Sequence, residues 1–235
     1  RLGAPHSVIF GGFAAHALES RINDAEAKLV ITTDGQNRRG SAMPLKPAVD
    51  EAVQTTPSVE HVLVVKRTGG DVDWNPDRDV WWHDIVDRQS PQHSPEAFDS
   101  EHPLFILYTS GTTGKPKGTV HTHGGFPLKV LHDGIVNFNI KPGDVFFWPA
   151  DMGWVAGALI ITTTLMRGAT MICYSGAPDF PNWSRMAQMI ERHRVTHFGT
   201  APTMIRGFAA NAEMATAARD LREDRNALST RCASS

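Results

Sequence analysis

The sequence is short of several things at once. Only two cysteines, Cys173 and Cys232, occur in 235 residues. They make no C-x-x-C pair, which excludes a disulfide framework and suits a reducing, cytoplasmic setting. Neither sign of charge dominates: 23 basic residues stand against 25 acidic ones, mixed along the chain, for a net charge of −2. That balance offers no basic stripe to nucleic acid and no charged face to a membrane. The longest apolar run, "WVAGALIITTTLM" from Trp154 to Met166, is shorter than the roughly 20 residues a bilayer helix needs and carries three consecutive threonines. It reads as a core helix. Two common nucleotide fingerprints are also missing. G-x-G-x-x-G does not occur, and the Walker pattern fails by counting, because its first glycine and its Ser/Thr fall on Thr109 and Pro116.

What is present is an ordinary globular composition, 41% hydrophobic and 20% charged, long enough for one or two domains. Short β-branched runs alternate with amphipathic ones. The pattern predicts strands at 7–10, 28–33, 61–66, 104–108, 144–148, 169–174 and 195–199. Helices are expected at 14–27, 45–53, 153–166, 183–194 and about 202–212. Residues 34–42 read as a polar loop, and 68–103 as a surface excursion with one short helix in the "VWWHDIV" patch. The alternation predicts an α/β fold, a mostly parallel sheet layered with helices on both faces. The last stretch, 212–235, has few large apolar residues and shows no clear strand.

One stretch concentrates chemistry. "YTSGTTGKPKG", Tyr108 to Gly118, holds three glycines, four Ser/Thr hydroxyls and two lysines directly after the apolar "LFILY". Glycine-rich turns point successive N–H groups into one concavity, and such nests bind phosphate oxygens. The same composition also suits a mobile, solvated turn, and composition alone leaves both readings open. His121 and His123, two apart, fall on one strand face. With no third ligand at typical spacing they read as structural histidines, and no metal site is expected.

The order of residues in that stretch resembles the signature loop of the AMP-forming adenylating enzymes, the superfamily of acyl-CoA synthetases. "GAPHSVIFGGFAAHALESRINDAEAKLVIT", "RRGSAMPLK", "GDVFFWPADMGWVAG", "GAPDFPNW" and "THFGTAPTMIR" extend the similarity and resemble the acetyl-CoA synthetase branch. The resemblance implies an acid–thiol ligase that joins a short carboxylic acid to ATP, with Mg²⁺, and then passes the acyl group from the adenylate to coenzyme A. A carboxylic acid of pKa about 4 is already ionised at neutral pH, so the first step needs alignment and charge neutralisation but no general base.

By this resemblance Thr109, Ser110, Gly111, Thr112, Thr113, Gly114 and Lys115 hold the ATP phosphates. Trp154, Val155 and Ala156 line the acyl pocket, with Ala156 standing where acetyl-CoA synthetases commonly carry threonine. Phe10, Gly11, Gly12, Arg38, Asp179 and Ala201 fall on coenzyme A positions. Arg38 has a physical rationale of its own, since a loop guanidinium pairs with phosphate. Ser41 replaces a second arginine usual in the family, and Arg39 is new. The resemblance covers residues 1–211 as part of an AMP-binding domain, with 212–235 a divergent tail and no catalytic residue assigned. It implies that the small mobile C-terminal domain, with its catalytic lysine, belongs to a longer parent. The alternative is a non-catalytic remnant that at most binds nucleotide or coenzyme A.

Overall fold

The computed structural model describes residues 2–109 and 116–217. The chain forms two compact units, one up to Gly124 and one from Gly125 onward, and each has its own parallel sheet.

In the first unit, α1 (Ala15–Asp24) leads to β1 (Leu29–Thr33), a hairpin of β2 (Gly35–Arg38) and β3 (Ser41–Pro44), and α2 (Lys46–Ala52). Then come β4 (His61–Val65), β5 (Asp79–Trp81), α3 (Trp82–Val86), β6 (Pro103–Thr109) and β7 (Lys117–Thr122). Strands β1, β4 and β5 are parallel, in that order, with Leu29 in register with His61 and Val62 with Asp79. Central β4 is buried on both faces, Val62 and Val64 completely, as the unbroken apolar run "HVLVV" requires. Val49 of α2 packs on Val62 and Val64, while Ala15 and Ile22 of α1 pack on Ala52. The four-residue spacing of Leu18 and Ile22 is what turns α1 toward this core.

In the second unit, α4 (Gly125–Val136) precedes β8 (Val145–Phe147), α5 (Val155–Met166), β9 (Thr170–Ile172), α6 (Arg185–Arg192), β10 (His197–Phe198), α7 (Pro202–Ala210) and α8 (Ala212–Ala217). Its parallel sheet has the order β10-β8-β9. Adjacent residues of a strand face opposite ways, and β8 shows it: Phe146 packs with Ile140 and Ile160 of α5, Phe147 with Met186 of α6 and Val195. Helix α5 is apolar almost all round. Its Ile160 and Thr163 are buried while Ile161 and Leu165 are exposed, as are Leu128 and Ile135 of α4. No helix among the described residues is long and apolar enough to cross a membrane.

Several sequence expectations are corrected. The strand expected at 7–10 does not form; the segment runs beside β6 and touches it at one bridge, His6 to Phe105, where Ile106 N–H donates to His6 O at 2.8 Å. The polar loop at 34–42 is instead the β2–β3 hairpin, which turns through Arg39 (φ 48°) and Gly40 (φ 79°), the backbone that two-residue hairpin turns demand. The histidine pair is divided: β7 ends at Thr122, so His121 lies on the strand and His123 in the turn after it; the rest of β7 and helix α4 are not predicted by the sequence pattern. "KGTVHT" is too mixed to read as a strand until it pairs with β6, and α4 opens on Gly-Phe-Pro, a sequence that signals a turn. The "VWWHDIV" patch divides between β5 and α3. The 212–235 tail starts as a short helix, and residues beyond 217 lie outside the described ones.

The 68–87 excursion is anchored by a buried charge network. Lys46 is completely buried; its Nζ lies 2.8 Å from Asp50 Oδ1 and 2.8 Å from Asp79 Oδ2, and donates to Asp73 O at 2.7 Å. Arg78 completes it, with Nε 2.7 Å from Asp79 Oδ1 and Nη2 2.6 Å from Asp50 Oδ1. Trp74 stacks on Trp81 at 4.6 Å beside Lys46. Burying Lys46 and Asp79, with Asp50 and Arg78 half-buried beside them, is tolerable only because each charge is paired and hydrogen-bonded. Lys46→Met would leave Asp79 short of a partner in the interior. The expected result is a loss of about 3–5 kcal/mol, read as a lower urea midpoint in equilibrium unfolding.

Candidate functional site

The predicted site residues divide between the two units. In the first, β6 and β7 form an antiparallel hairpin with Tyr108 opposite Gly118 and Thr109 opposite Lys117. The signature loop joins these strands, so its two ends are held side by side by the ladder. Thr109 is the exposed last residue of β6. Ser110, Gly111, Thr112, Thr113, Gly114 and Lys115 lie outside the described residues. The base of the loop is fastened by Tyr108, whose hydroxyl donates to Asp24 Oδ2 at 2.8 Å and approaches Arg21 O at 3.4 Å. Burial, then the hydrogen bond and charge of Asp24, push its pKa up to about 12, so the phenol stays a donor at neutral pH.

Phe10, Gly11 and Gly12 form the turn into α1, closed by Phe13 N–H donating to Phe10 O at 3.1 Å. The Phe10 ring folds back onto Gly12: a Cβ there would lie 2.4 Å from Phe10 Cε1, so any larger residue would push that ring aside. Gly11 sits beside the β2–β3 hairpin, facing Leu45 and the Gln36 side chain. Two residues further along β2 is Arg38, exposed and paired in register with Ser41. Phe10, Gly11 and Gly12 therefore lie next to the hairpin that carries Arg38.

That hairpin is rooted by Asp34, 2% exposed. Its Oδ1 accepts from Gly35 N at 2.8 Å, Arg67 N at 2.7 Å and Thr68 N at 3.0 Å. Its Oδ2 accepts from Thr68 N and Oγ1 at 3.1 Å each, Gly69 N at 2.6 Å and Gly70 N at 3.2 Å. Burial acts to raise the carboxyl pKa, but the backbone donors Arg67, Thr68, Gly69 and Gly35 outweigh it and hold the group far below the ordinary carboxylate range. Sequence reading missed Asp34, because five of its six donors are backbone groups and four of those lie over thirty residues away.

In the second unit, the segments bearing the other predicted residues leave the same edge of the sheet. Phe198, Phe147 and Ile172 lie in register at the C-terminal ends of β10, β8 and β9. The chain after β8 makes a tight turn, with Gly153 N donating to Asp151 Oδ1 at 2.8 Å, and delivers Trp154 as the N-cap of α5. Trp154 and Val155 are 53% and 48% exposed, so neither is plain helix core, whereas Ala156 packs against the cluster of Ile140, Phe146 and Ile160. Asp179 follows β9, two residues beyond buried Ala177, whose carbonyl accepts from Tyr174 Oη at 3.0 Å. Ala201 follows β10 as the N-cap of α7. Between β10 and Ala201, a Cβ on Gly199 would lie 2.4 Å from Trp148, so the β8 and β10 ends meet closely there. The carboxyl ends of parallel strands are where open α/β sheets bind ligands.

The histidines around β6 are packed among aromatic rings. His121 stacks on Phe105 at 4.6 Å, His123 meets His102 and Phe98, and His102 Nε2 lies 2.8 Å from Gly3 O. Burial lowers the pKa of His6 and of His121. Among the described residues no group of three or more His, Cys, Asp or Glu side chains comes together as a metal site.

Comparison with known proteins adds three findings. A profile of the AMP-binding enzymes matches residues 1–233. The chain is 55% identical over 210 residues to an acetyl-coenzyme A synthetase of Streptomyces coelicolor, covering 88% of this chain and 32% of that protein, and 48% identical to one of Deinococcus radiodurans, covering 91% and 33%. Among solved structures, the acetoacetyl-CoA synthetase from Streptomyces lividans matches with a TM-score of 0.77 at 28% identity, over 85% of this chain and 30% of that one. The chain thus spans about a third of the length of the curated relatives it matches.

Asp34 gives this part of the chain a pH signature. A folded-state pKa below the unfolded value of 3.8 means that its stabilisation is complete above about pH 4 and is lost as pH falls below that. Asp34→Asn, which turns a donor toward N–H groups that need an acceptor, is expected to cost on the order of 3 kcal/mol at pH 7. The loss should shrink when urea unfolding is repeated near pH 3.

Proposed function

Because the chain belongs to the AMP-binding enzymes, we propose that residues 1–211 are part of an AMP-forming acid–thiol ligase and hold the outer phosphates of ATP and part of coenzyme A. The β6–β7 hairpin carries this reading: two paired strands present the two ends of "TSGTTGKPK" together. Thr109, Ser110, Thr112 and Thr113 offer hydroxyls, the glycines let N–H groups converge on one anion, and Lys115 supplies charge. In the first step an acid oxygen attacks the α-phosphorus and the bond to pyrophosphate breaks, with the electron pair leaving on pyrophosphate. The cradle's part is to fix that leaving group and screen its charge. Mg²⁺ supplies further neutralisation when bound; the described residues offer no carboxylate cluster to which a ligand role can be assigned.

The substrate reading follows the same residues. Half-exposed Trp154 and Val155, at the start of an apolar helix, suit a short carboxylic acid, while Ala156 backs them by packing on the core. Phe10, Gly11, Gly12 and Arg38 suit the phosphates of coenzyme A in the first unit. In the second unit, the coenzyme A role of Asp179 and Ala201 rests on the resemblance alone. The partners are therefore small molecules: acid, ATP and coenzyme A.

The complete reaction is proposed for the full-length enzyme, and for residues 1–235 the proposal is binding without turnover. The purified 235-residue chain should bind ATP and coenzyme A by calorimetry while giving no acid-dependent exchange of labelled pyrophosphate into ATP. Lys115→Ala should weaken ATP about tenfold and spare coenzyme A, and Arg38→Ala should do the reverse. Clear exchange would overturn binding without turnover; failure to bind either ligand would overturn the assignment of sites.

A further inference from the structure

Arg21 has no part in the roles above, yet it is a charged residue only 9% exposed, on α1. Its Nη1 donates to Ala17 O at 2.6 Å. Its guanidinium carbon lies 4.7 Å from the centroid of the Phe13 ring and 5.5 Å from that of Tyr108. Asp24, one turn away, is engaged by the Tyr108 hydroxyl at 2.8 Å. The charge of Arg21 therefore meets two aromatic faces. A desolvated guanidinium held this way costs more to bury than an apolar side chain of similar length would, and attraction to ring faces offsets only part of that cost. Packing alone would favour methionine at this position.

What distinguishes the position is its two neighbours. Phe13 meets Phe10 edge to face at 5.6 Å, and the Phe10 ring rests on Gly12, which places this side of Arg21 against the proposed coenzyme A segment. Tyr108 immediately precedes Thr109, the strand end from which the proposed phosphate loop departs, and its ring meets the other side of Arg21. Phe10, Phe13, Arg21 and Tyr108 form one packed series within the first unit, linking segments almost a hundred residues apart in sequence.

The geometry points to Arg21 as a positioning residue that fixes the coenzyme A segment Phe10–Gly12 relative to the base of the phosphate loop, so that a ligand at one strengthens binding at the other. This rests on the function proposed above. A contiguous packed series carries such coupling when ordering one end lowers the cost of ordering the other, and the coupling must be reciprocal. Methionine at 21 would keep the packing and remove the charge that holds both rings; lysine would keep the charge and one cation–ring contact.

Hydrogen exchange of the full 235-residue chain, followed by mass spectrometry, tests the mechanical half without ligand. Arg21→Met is expected to raise exchange several-fold in peptides covering 8–13 and 104–109 while β4 stays protected, and Arg21→Lys should restore most of the protection. Tyr108→Phe, which removes one hydroxyl and leaves the core intact, should speed exchange at 8–13 as well. Faster exchange at only one segment, no rescue by lysine, or no effect of Tyr108→Phe at 8–13 would overturn the inference. If Arg21→Met unfolds the chain, Tyr108→Phe decides alone. Calorimetry tests the ligand half: pyrophosphate should tighten coenzyme A binding about fivefold in the wild type, and by less than twofold in Arg21→Met. An unchanged ratio would overturn the coupling. Absence of any binding would instead overturn the proposed function, with the exchange result still deciding the place of Arg21.

Discussion

A carboxylate buried at the end of β1 sets the geometry of much of the first unit. Asp34 accepts from five backbone N–H groups and a hydroxyl, joining the root of the β2–β3 hairpin to the turn that follows β4. Parallel strands release their chains at a common edge, and those chains carry backbone donors that need acceptors. A buried anion satisfies several donors at once and fixes their relative positions. The hairpin bearing Arg38 and the glycine turn that leans on it take their place from this node. A second node, around Lys46, holds the 73–79 segment by the same means with both signs of charge.

The chemistry proposed for the signature loop explains why that stretch stands out in the sequence while these nodes do not. A reaction that needs alignment and charge neutralisation, without a general base, can be served by backbone N–H groups, hydroxyls and a lysine in one short stretch. Such a stretch is contiguous and can be read directly. Asp34, Lys46 and Arg21 act through partners about 30 to 90 residues away, and nothing in their neighbouring residues marks them.

The same contrast runs through the fold. The strands β4 and β8 and the helices α1 and α5 could be read from apolar runs and spacing, because burial alone determines them. The β2–β3 hairpin and strand β7 could not, since their mixed sequences become strands only through pairing. The expected strand at 7–10 shows the reverse: its residues have the propensity, but the bridge to Phe105 is made by His6 just before it, and it has no ladder of its own. Of the predicted site residues among the described ones, Phe10, Gly11 and Gly12 lie beside the hairpin that carries Arg38, and the segments bearing those of the second unit leave one edge of its sheet.

The exposed sides of α4 and α5 bear on how long this chain persists in solution. Ile161 and Leu165 lie one turn apart on α5, and Leu128 and Ile135 two turns apart on α4, all in contact with water. Helices this apolar are normally covered on every side. When the first event in loss of protein is the meeting of two such faces, its rate rises with the square of concentration, whereas unfolding is first order. Dilution would then prolong the life of the folded chain, and the depletion half-time would depend on how much protein was present at the start.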